Sequence, residues 1–220
     1  MTSRNYIEYR PDRGLMVGGI PAARLAKKYG TPLYVYSEDA IVERMREYTS
    51  SFSKAYPDSA IAYASKAYLT MRMAQLVNQE GLYIDTASGG ELYIALQSGF
   101  PPERIMLHGN NKSNDELEMA ITAGVGRIVV DNFDELTRLQ RIARKEKRVQ
   151  GVHLRLTPGI DAHTRRSLST GEISSKFGIA LGGEEPFLAA IETERSPNLS
   201  LMGIHCHIGS QIFEAAPYAE

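Results

Sequence analysis

The sequence predicts an α/β fold of the (β/α) barrel type, and three observations carry the prediction. One unit recurs along the chain: a short apolar strand, a turn rich in Gly, Ser or Asn, then an amphipathic helix ending near Gly or Pro. The connections between these units are short, and the strand–helix order does not break, which requires a parallel sheet. A polar side chain stands near the C-terminal end of each successive strand, where barrel enzymes place their sites. A doubly wound open sheet fits the alternation too, but no Gly-x-Gly-x-x-Gly follows the first strand.

The elements follow in order. Pro32–Tyr36 reads as a first strand, leading into a helix from Glu38 to about Tyr56 that spaces Ile41, Met45, Tyr48 and Phe52 helically. Further strands are expected at Ile61–Ser65, Leu82–Ile84, Ile105–Leu107, Arg127–Val130, Val152–Leu156 and Leu201–His207. Three helices have legible starts, with capping boxes expected at Ser88/Glu91, Ser113/Glu116 and Asn132/Glu135. Gly99 and Gly124 stand where helix C-caps belong. Apolar stripes run over Leu92–Leu96, Leu117–Ile121 and Phe133–Ile142. After Leu156 a long polar loop, Thr157 to Lys176, carries His163, Arg165 and Arg166, and loops of this length in compact domains are often functional. A barrel closes with eight strands and typically about 250 residues. The chain is therefore expected to be a barrel truncated after about six strands, with residues 1–31 as an N-terminal extension and 32–220 as the incomplete barrel domain.

Composition narrows the function classes. Hydrophobic residues make up 43% of the 220, enough for a sizeable core. Lys plus Arg number 25 against 26 Asp plus Glu, so there is no broad basic surface for nucleic acid. Cys206 is the only cysteine, which excludes a disulfide within these residues and points to a reducing, cytoplasmic setting. Neither a signal peptide nor a membrane-spanning stretch is expected.

The strand-end residues are Lys66, Asp85, His108, Asp131, Arg155 and His207. Residues two apart on a strand share a face, so Lys66 goes with Ala62 and Ala64, Arg155 with His153 and Thr157, and His207 with His205 and Gly203. Singly, each has an ordinary structural reading: a solvated lysine, a capping aspartate, a satisfied core histidine. Six in six successive units indicate a site without naming its chemistry. Two chemistries compete evenly on spacing. His205 and His207, with Asp85 or Asp131, would suit a metal-dependent hydrolase. Alternatively, a desolvated Lys66 would attack a carbonyl carbon, His207 would stack on an aromatic ring, and Gly209-Ser210 would cradle phosphate oxygens.

Several strings resemble the pyridoxal phosphate decarboxylases of the alanine racemase fold, the diaminopimelate branch in particular. They are Tyr-Ala-Ser-Lys-Ala at 63–67, Asp-Thr-Ala-Ser-Gly-Gly-Glu-Leu at 85–92 and His-Gly-Asn-Asn-Lys-Ser at 108–113. Val-Asp-Asn at 130–132, Leu-Arg-Leu-Thr-Pro-Gly at 154–159, Ser-Lys-Phe-Gly at 175–178 and Gly-Ile-His-Cys-His-Ile-Gly-Ser-Gln-Ile-Phe at 203–213 follow in the family's order. The third and last strings are the specific ones; ornithine and arginine decarboxylases match them less closely. The resemblance implies pyridoxal 5'-phosphate as cofactor and no metal. It implies that Lys66 holds the cofactor as a Schiff base, that His207 stacks on its ring, and that Gly209 and Ser210 meet its phosphate. Asp85, Glu91 and Arg155 would line the pocket. His108, Asn110 and Lys112 match the motif without an assigned task. The implied reaction is decarboxylation of meso-diaminopimelate to L-lysine, in lysine biosynthesis, by a protein that forms a homodimer at full length. The family's remaining phosphate loop and C-terminal β-domain do not appear in this sequence, so the chain alone is expected to have little or no activity. A non-catalytic pyridoxal phosphate-binding barrel is the rival from another class.

Overall fold

The computed structural model describes residues 6–159, 177–210 and 212–219. The loop residues His163, Arg165 and Arg166 lie outside the described residues. The chain packs as two units, one made of residues up to Ile61 with Gln79–Gly81, the other of Ala62–Asn78 with the remainder.

The first unit opens with a small antiparallel sheet of β1 (Ile7–Arg10), β2 (Gly14–Val17) and β3 (Ile20–Pro21). Val17 pairs with Ile20 across a two-residue turn in which Gly18 and Gly19 both have positive φ, the geometry glycine supplies at least cost. Helices α1 (Ala22–Tyr29) and α2 (Glu38–Ala55) follow. Ser37 starts α2 by accepting a hydrogen bond from Ala40 N–H. Of the helical stripe Ile41, Met45, Tyr48 and Phe52, only Met45 is buried. The strand expected at Pro32–Tyr36 is not formed. Leu33, Tyr34 and Val35 are strand-prone but exposed, and they belong to no strand pair among the described residues. Strand propensity without a ladder partner does not make a strand.

The second unit is the α/β body. Its strands and helices alternate: β4 (Ala62–Ala64), α3 (Met71–Gln79), β5 (Tyr83–Thr86), α4 (Gly89–Gln97), β6 (Ile105–Leu107), α5 (Asn114–Ala123), β7 (Arg127–Val130), α6 (Phe133–Lys145), β8 (Gln150–Thr157), β9 (Ile179–Ala180), α7 (Glu185–Arg195) and β10 (Leu199–Cys206). The main strands pair in parallel in the order β10-β8-β7-β6-β5-β4, and β9 adds to the end of β8. Six of the expected strands are therefore present within a residue or two, and the parallel sheet is as the alternation requires.

Register divides this sheet into two chemically different faces. Ile84, Ile105, Leu107, Ile128, Val130, Val152 and Leu154 share one face, and all are buried. The helices supply Leu92, Leu117, Ile121, Leu136 and Leu139 to the buried core. Each such side chain contributes about 1.5–3 kcal/mol on full burial. Ala64, Asp85, Met106, Val129, His153, Arg155 and His205 fall on the opposite face. The polar residues are thus on the side that the helix-packing core does not use.

The helix starts correct one expectation. Ser113 and Glu116 form a closed capping box. Ser88 and Asn132 accept from the N–H groups of Glu91 and Glu135, but those two glutamates do not return to their caps. Their carboxylates reach one residue further back, to Ala87 N–H at 2.7 Å and Asp131 N–H at 3.5 Å. The reason is competition, because each carboxylate also meets a second partner described below. Glu116 does more than close its own box. One oxygen accepts from Ser113 N–H at 2.8 Å and the other from Gly89 N–H at 2.6 Å, joining the first turns of α5 and α4.

Candidate functional site

Parallel pairing brings the C-terminal strand ends to one edge of the second unit. Lys66 follows β4, Asp85 lies in β5, His108 follows β6, Asp131 follows β7, Arg155 lies in β8 and His207 follows β10. All six expected residues therefore line up there. The pairings Gly203 with His153 and His205 with Arg155 put Arg155, His153, Gly203 and His205 on one face, as expected.

Lys66 departs from its expected setting in two ways. The strand ends at Ala64, and Ser65–Ala67 form a 3-10 turn, so strand alternation with Ala62 and Ala64 does not extend to it. Its side chain is exposed rather than desolvated. The turn is nonetheless fastened. Ser65, which is buried, donates from Oγ to Glu91 Oε2 at 2.6 Å, and the same oxygen accepts from Ala87 N–H. Glu91 thus ties the lysine-bearing turn to the loop after β5, which is the second partner that draws it from its cap.

The other side chains interlock. Arg155 Nη1 donates to Asp131 Oδ1 at 2.9 Å, and both residues are buried. The guanidinium lies over the Phe177 ring, 4.8 Å from its centroid. His108 Nδ1 is 3.4 Å from Asp85 Oδ2, and its ring meets that of His205 edge-on at 4.5 Å. Burial and the nearby charges of Arg155, His108 and Lys66 hold the His207 imidazole below the usual histidine range, opposed by Asp85. His207 therefore senses four of the other strand-end residues. Gly209 follows with φ +148°, a conformation that favours glycine, and Ser210 is exposed beside it.

Burial, then His108 and Arg155, push His205 down to about 3. This has a definite sign. The folded state keeps the ring neutral, whereas the unfolded chain takes up a proton near pH 6.5. Stability is therefore full above that value and declines as pH falls toward 3. Urea denaturation is expected to give a lower midpoint at pH 5 than at pH 7, and His205→Gln is expected to shrink that difference.

Gly178 bounds the site beside Arg155. Its φ is +73°, and an added Cβ would stand 2.8 Å from Thr157 Oγ1 and 3.1 Å from the Arg155 carbonyl oxygen. Gly178→Ala is expected to cost at least about 1–2 kcal/mol from backbone strain alone, read as a lower urea midpoint.

Two residues prove central, Lys112, to which the sequence assigns no task, and Glu135, to which it assigns only a capping role. Lys112 and Glu135 are buried and paired, Nζ to Oε1 at 2.8 Å. Lys112 also donates to Val129 O at 2.7 Å and to Gly109 O. The cue in the sequence was an Asn-Lys-Ser string before a helix and a glutamate at a capping position, which read as ordinary helix-start chemistry.

These residues can hold a group that carries an aldehyde, an aromatic ring and a phosphate. Lys66 offers an accessible primary amine, His207 an imidazole, Arg155 a fixed cation, and Gly209-Ser210 backbone N–H and hydroxyl donors. His108 Nε2 and His205 Nδ1 are buried with no hydrogen-bond partner among the described residues, so polar capacity is left over at this edge. The residues fit pyridoxal phosphate. Among the described residues, no set of three or more His, Cys, Asp or Glu side chains is grouped to hold a metal ion, and no helix is long and apolar enough to cross a membrane.

Residues 38–220 match the family described as pyridoxal-dependent decarboxylase, pyridoxal binding domain. The diaminopimelate decarboxylase of Bacillus subtilis (strain 168) is 47% identical over 204 residues, which is 93% of this chain and 46% of that protein. That of Mycobacterium tuberculosis (strain ATCC 25618 / H37Rv) is 45% identical over 198 residues, 90% of this chain and 44% of that protein. Among solved structures, diaminopimelate decarboxylase from M. jannaschii in co-complex with L-lysine is similar with a TM-score of 0.90 and 32% identity, over 100% of this chain and 51% of that one. The chain spans about half the length of the relatives it matches.

Proposed function

The chain belongs to the pyridoxal-dependent decarboxylase family, and from that premise we propose that the protein removes carbon dioxide from meso-diaminopimelate to give L-lysine. The observation that carries the reading is the strand-end row itself: Lys66, Asp85, His108, Arg155 and His207 on one edge of a parallel sheet. The 47% identity to a named diaminopimelate decarboxylase supports this substrate over ornithine or arginine.

In this reading Lys66 would hold the cofactor through Nζ, His207 would pack against its ring, and Gly209 and Ser210 would bind its phosphate. Asp85 and Arg155 line the pocket. Glu91 contributes by holding the Ser65–Ala67 turn, and with it Lys66, in place. The chemistry supplied by the cofactor when bound is that of an electron sink for the pair left as the carboxylate departs. Lys66 Nζ, exposed and mounted on a fastened turn, then carries the proton that replaces the carboxylate. Burial first, then the nearby Arg155 guanidinium, favour the neutral His207 imidazole. The protein acts in lysine biosynthesis in the cytoplasm, and at its full natural length it works as a homodimer.

The test is carbon dioxide release from meso-diaminopimelate, L-ornithine, L-arginine and L-lysine, each with pyridoxal phosphate, by the protein at its full natural length. Release from meso-diaminopimelate with L-lysine as product is expected. Preference for ornithine or arginine would move the substrate within the family. Cofactor binding with no release from any of the four would favour a non-catalytic pyridoxal phosphate-binding protein.

A further inference from the structure

Behind the pocket lies a buried cluster of four charges whose arrangement has a consequence for Arg155. Lys112, Glu135, Asp131 and Arg155 are each at least nine-tenths buried. Two ion pairs, Lys112–Glu135 at 2.8 Å and Arg155–Asp131 at 2.9 Å, are set side by side. They touch where Glu135 Oε2 approaches the Asp131 N–H at 3.5 Å. That approach is long for a hydrogen bond, so the link between the pairs is mainly the field each charge exerts on the others.

The signs matter more than the contacts. Glu135 and Asp131 are two carboxylates in one dry region, and like charges so placed do not both stay ionised without a counter-charge. Arg155 supplies one positive charge, and Lys112 supplies the other. The cluster is then neutral as a whole. Take Lys112 away and Glu135 is left as a buried carboxylate without its own counter-charge. That carboxylate competes with Asp131 for the one remaining cation and weakens the charge-assisted bond that fixes the Arg155 guanidinium. Lys112 is well built for this role, since its remaining donors are spent on Gly109 O and Val129 O and it faces no solvent.

We infer that Lys112, through Glu135, is a positioning residue: it balances the charge of this cluster and so keeps Arg155 locked on Asp131 at the pocket edge. The consequence for cofactor binding rests on the pyridoxal phosphate reading of the site, whereas the locking of Arg155 does not. The role is distinct from simple packing because it depends on charge count. Removing Lys112 alone leaves the cluster with an excess negative charge. Removing the charge of Glu135 as well restores neutrality, although no contact is regained.

The experiment compares the parent with Lys112→Met and Lys112→Met/Glu135→Gln, each at its full natural length. Arginine guanidinium 15N NMR reports the immobilisation of Arg155 without any ligand, with Arg155→Lys used to assign its signal. Fluorescence titration gives the affinity for pyridoxal phosphate, and circular dichroism the fold. In Lys112→Met the Arg155 signal is expected to lose its slow exchange. The affinity is expected to fall about 10–100-fold, the range for groups that orient a binding residue from behind. The double variant is expected to recover most of both. If Lys112→Met does not fold but the double variant does, charge balance is again the explanation. The inference is overturned if Lys112→Met leaves Arg155 and affinity unchanged, or if the double variant is no better folded or ordered than the single. A parent with an immobile Arg155 but no affinity for pyridoxal phosphate would overturn the cofactor reading while the positioning role was still decided by NMR.

Discussion

Borohydride reduction in the presence of pyridoxal phosphate is expected to leave a stable label on Lys66 and nowhere else, and Lys66→Ala is expected to abolish it. The expectation follows from position rather than from chemistry unique to one lysine. Lys66 is exposed, but its turn is fixed by Ser65 and Glu91, and Asp85 and His207 stand near enough to act on one another. Other exposed lysines of the second unit, such as Lys145 in the last turn of α6, lie on helices away from the strand ends. Their adducts would be transient and scattered. Loss of the proton-carrying amine is expected to lower decarboxylation by at least about 10²–10⁴-fold. Peptide mass mapping reads the label, and a folded protein labelled evenly across its surface lysines would remove Lys66 from its proposed role.

Arg155→Ala is expected to cost about 3–5 kcal/mol of stability. The cost does not measure the strength of the Arg155–Asp131 bond. It arises because Asp131, 3% exposed, would be left as a charged carboxylate in a region that already holds Glu135. The cation over the Phe177 ring is lost with it. Arg155→Ala/Asp131→Ala removes both partners and is expected to be less destabilised than Arg155→Ala alone, because no lone charge remains buried. Urea denaturation of the set checks this. A double variant as unstable as the sum of the singles would show that the two residues contribute independently.

The body of this fold was legible because its signals are periodic and local. Strand Ile105–Leu107 and strand Arg127–Val130 were read to the residue, since each is a short apolar run bounded by turn residues. Helix starts were equally plain at Ser88, Ser113 and Asn132. The first unit was less so. Pro32–Tyr36 has strand composition, yet whether a strand forms depends on a partner that composition does not encode. The hairpin at Gly18-Gly19 has a turn signal in its paired glycines, but its flanking strands are short and only partly buried, so no apolar alternation marks them. At the strand ends the residue types were readable, but not what they bind. Glu91 and Glu135 sit at positions where a capping role is a complete explanation from sequence. Only the three-dimensional approach of Ser65 to one, and of Lys112 to the other, reveals why each turns away from its cap.

Glu116 holds the first turns of two successive helices with a single carboxylate. The beginnings of α4 and α5 therefore do not fray independently. A fluctuation that frees Glu116 releases the Gly89 and Ser113 amides in the same event. Release of Gly89 loosens the turn that bears Glu91, and through Glu91 it loosens Ser65. Lys66 is thereby joined to the opening of the helix start at Ser113, 47 residues along the sequence. The rigidity of the lysine turn is a property of this linked stretch as one cooperative segment, with its weakest point set by whichever helix start opens most readily.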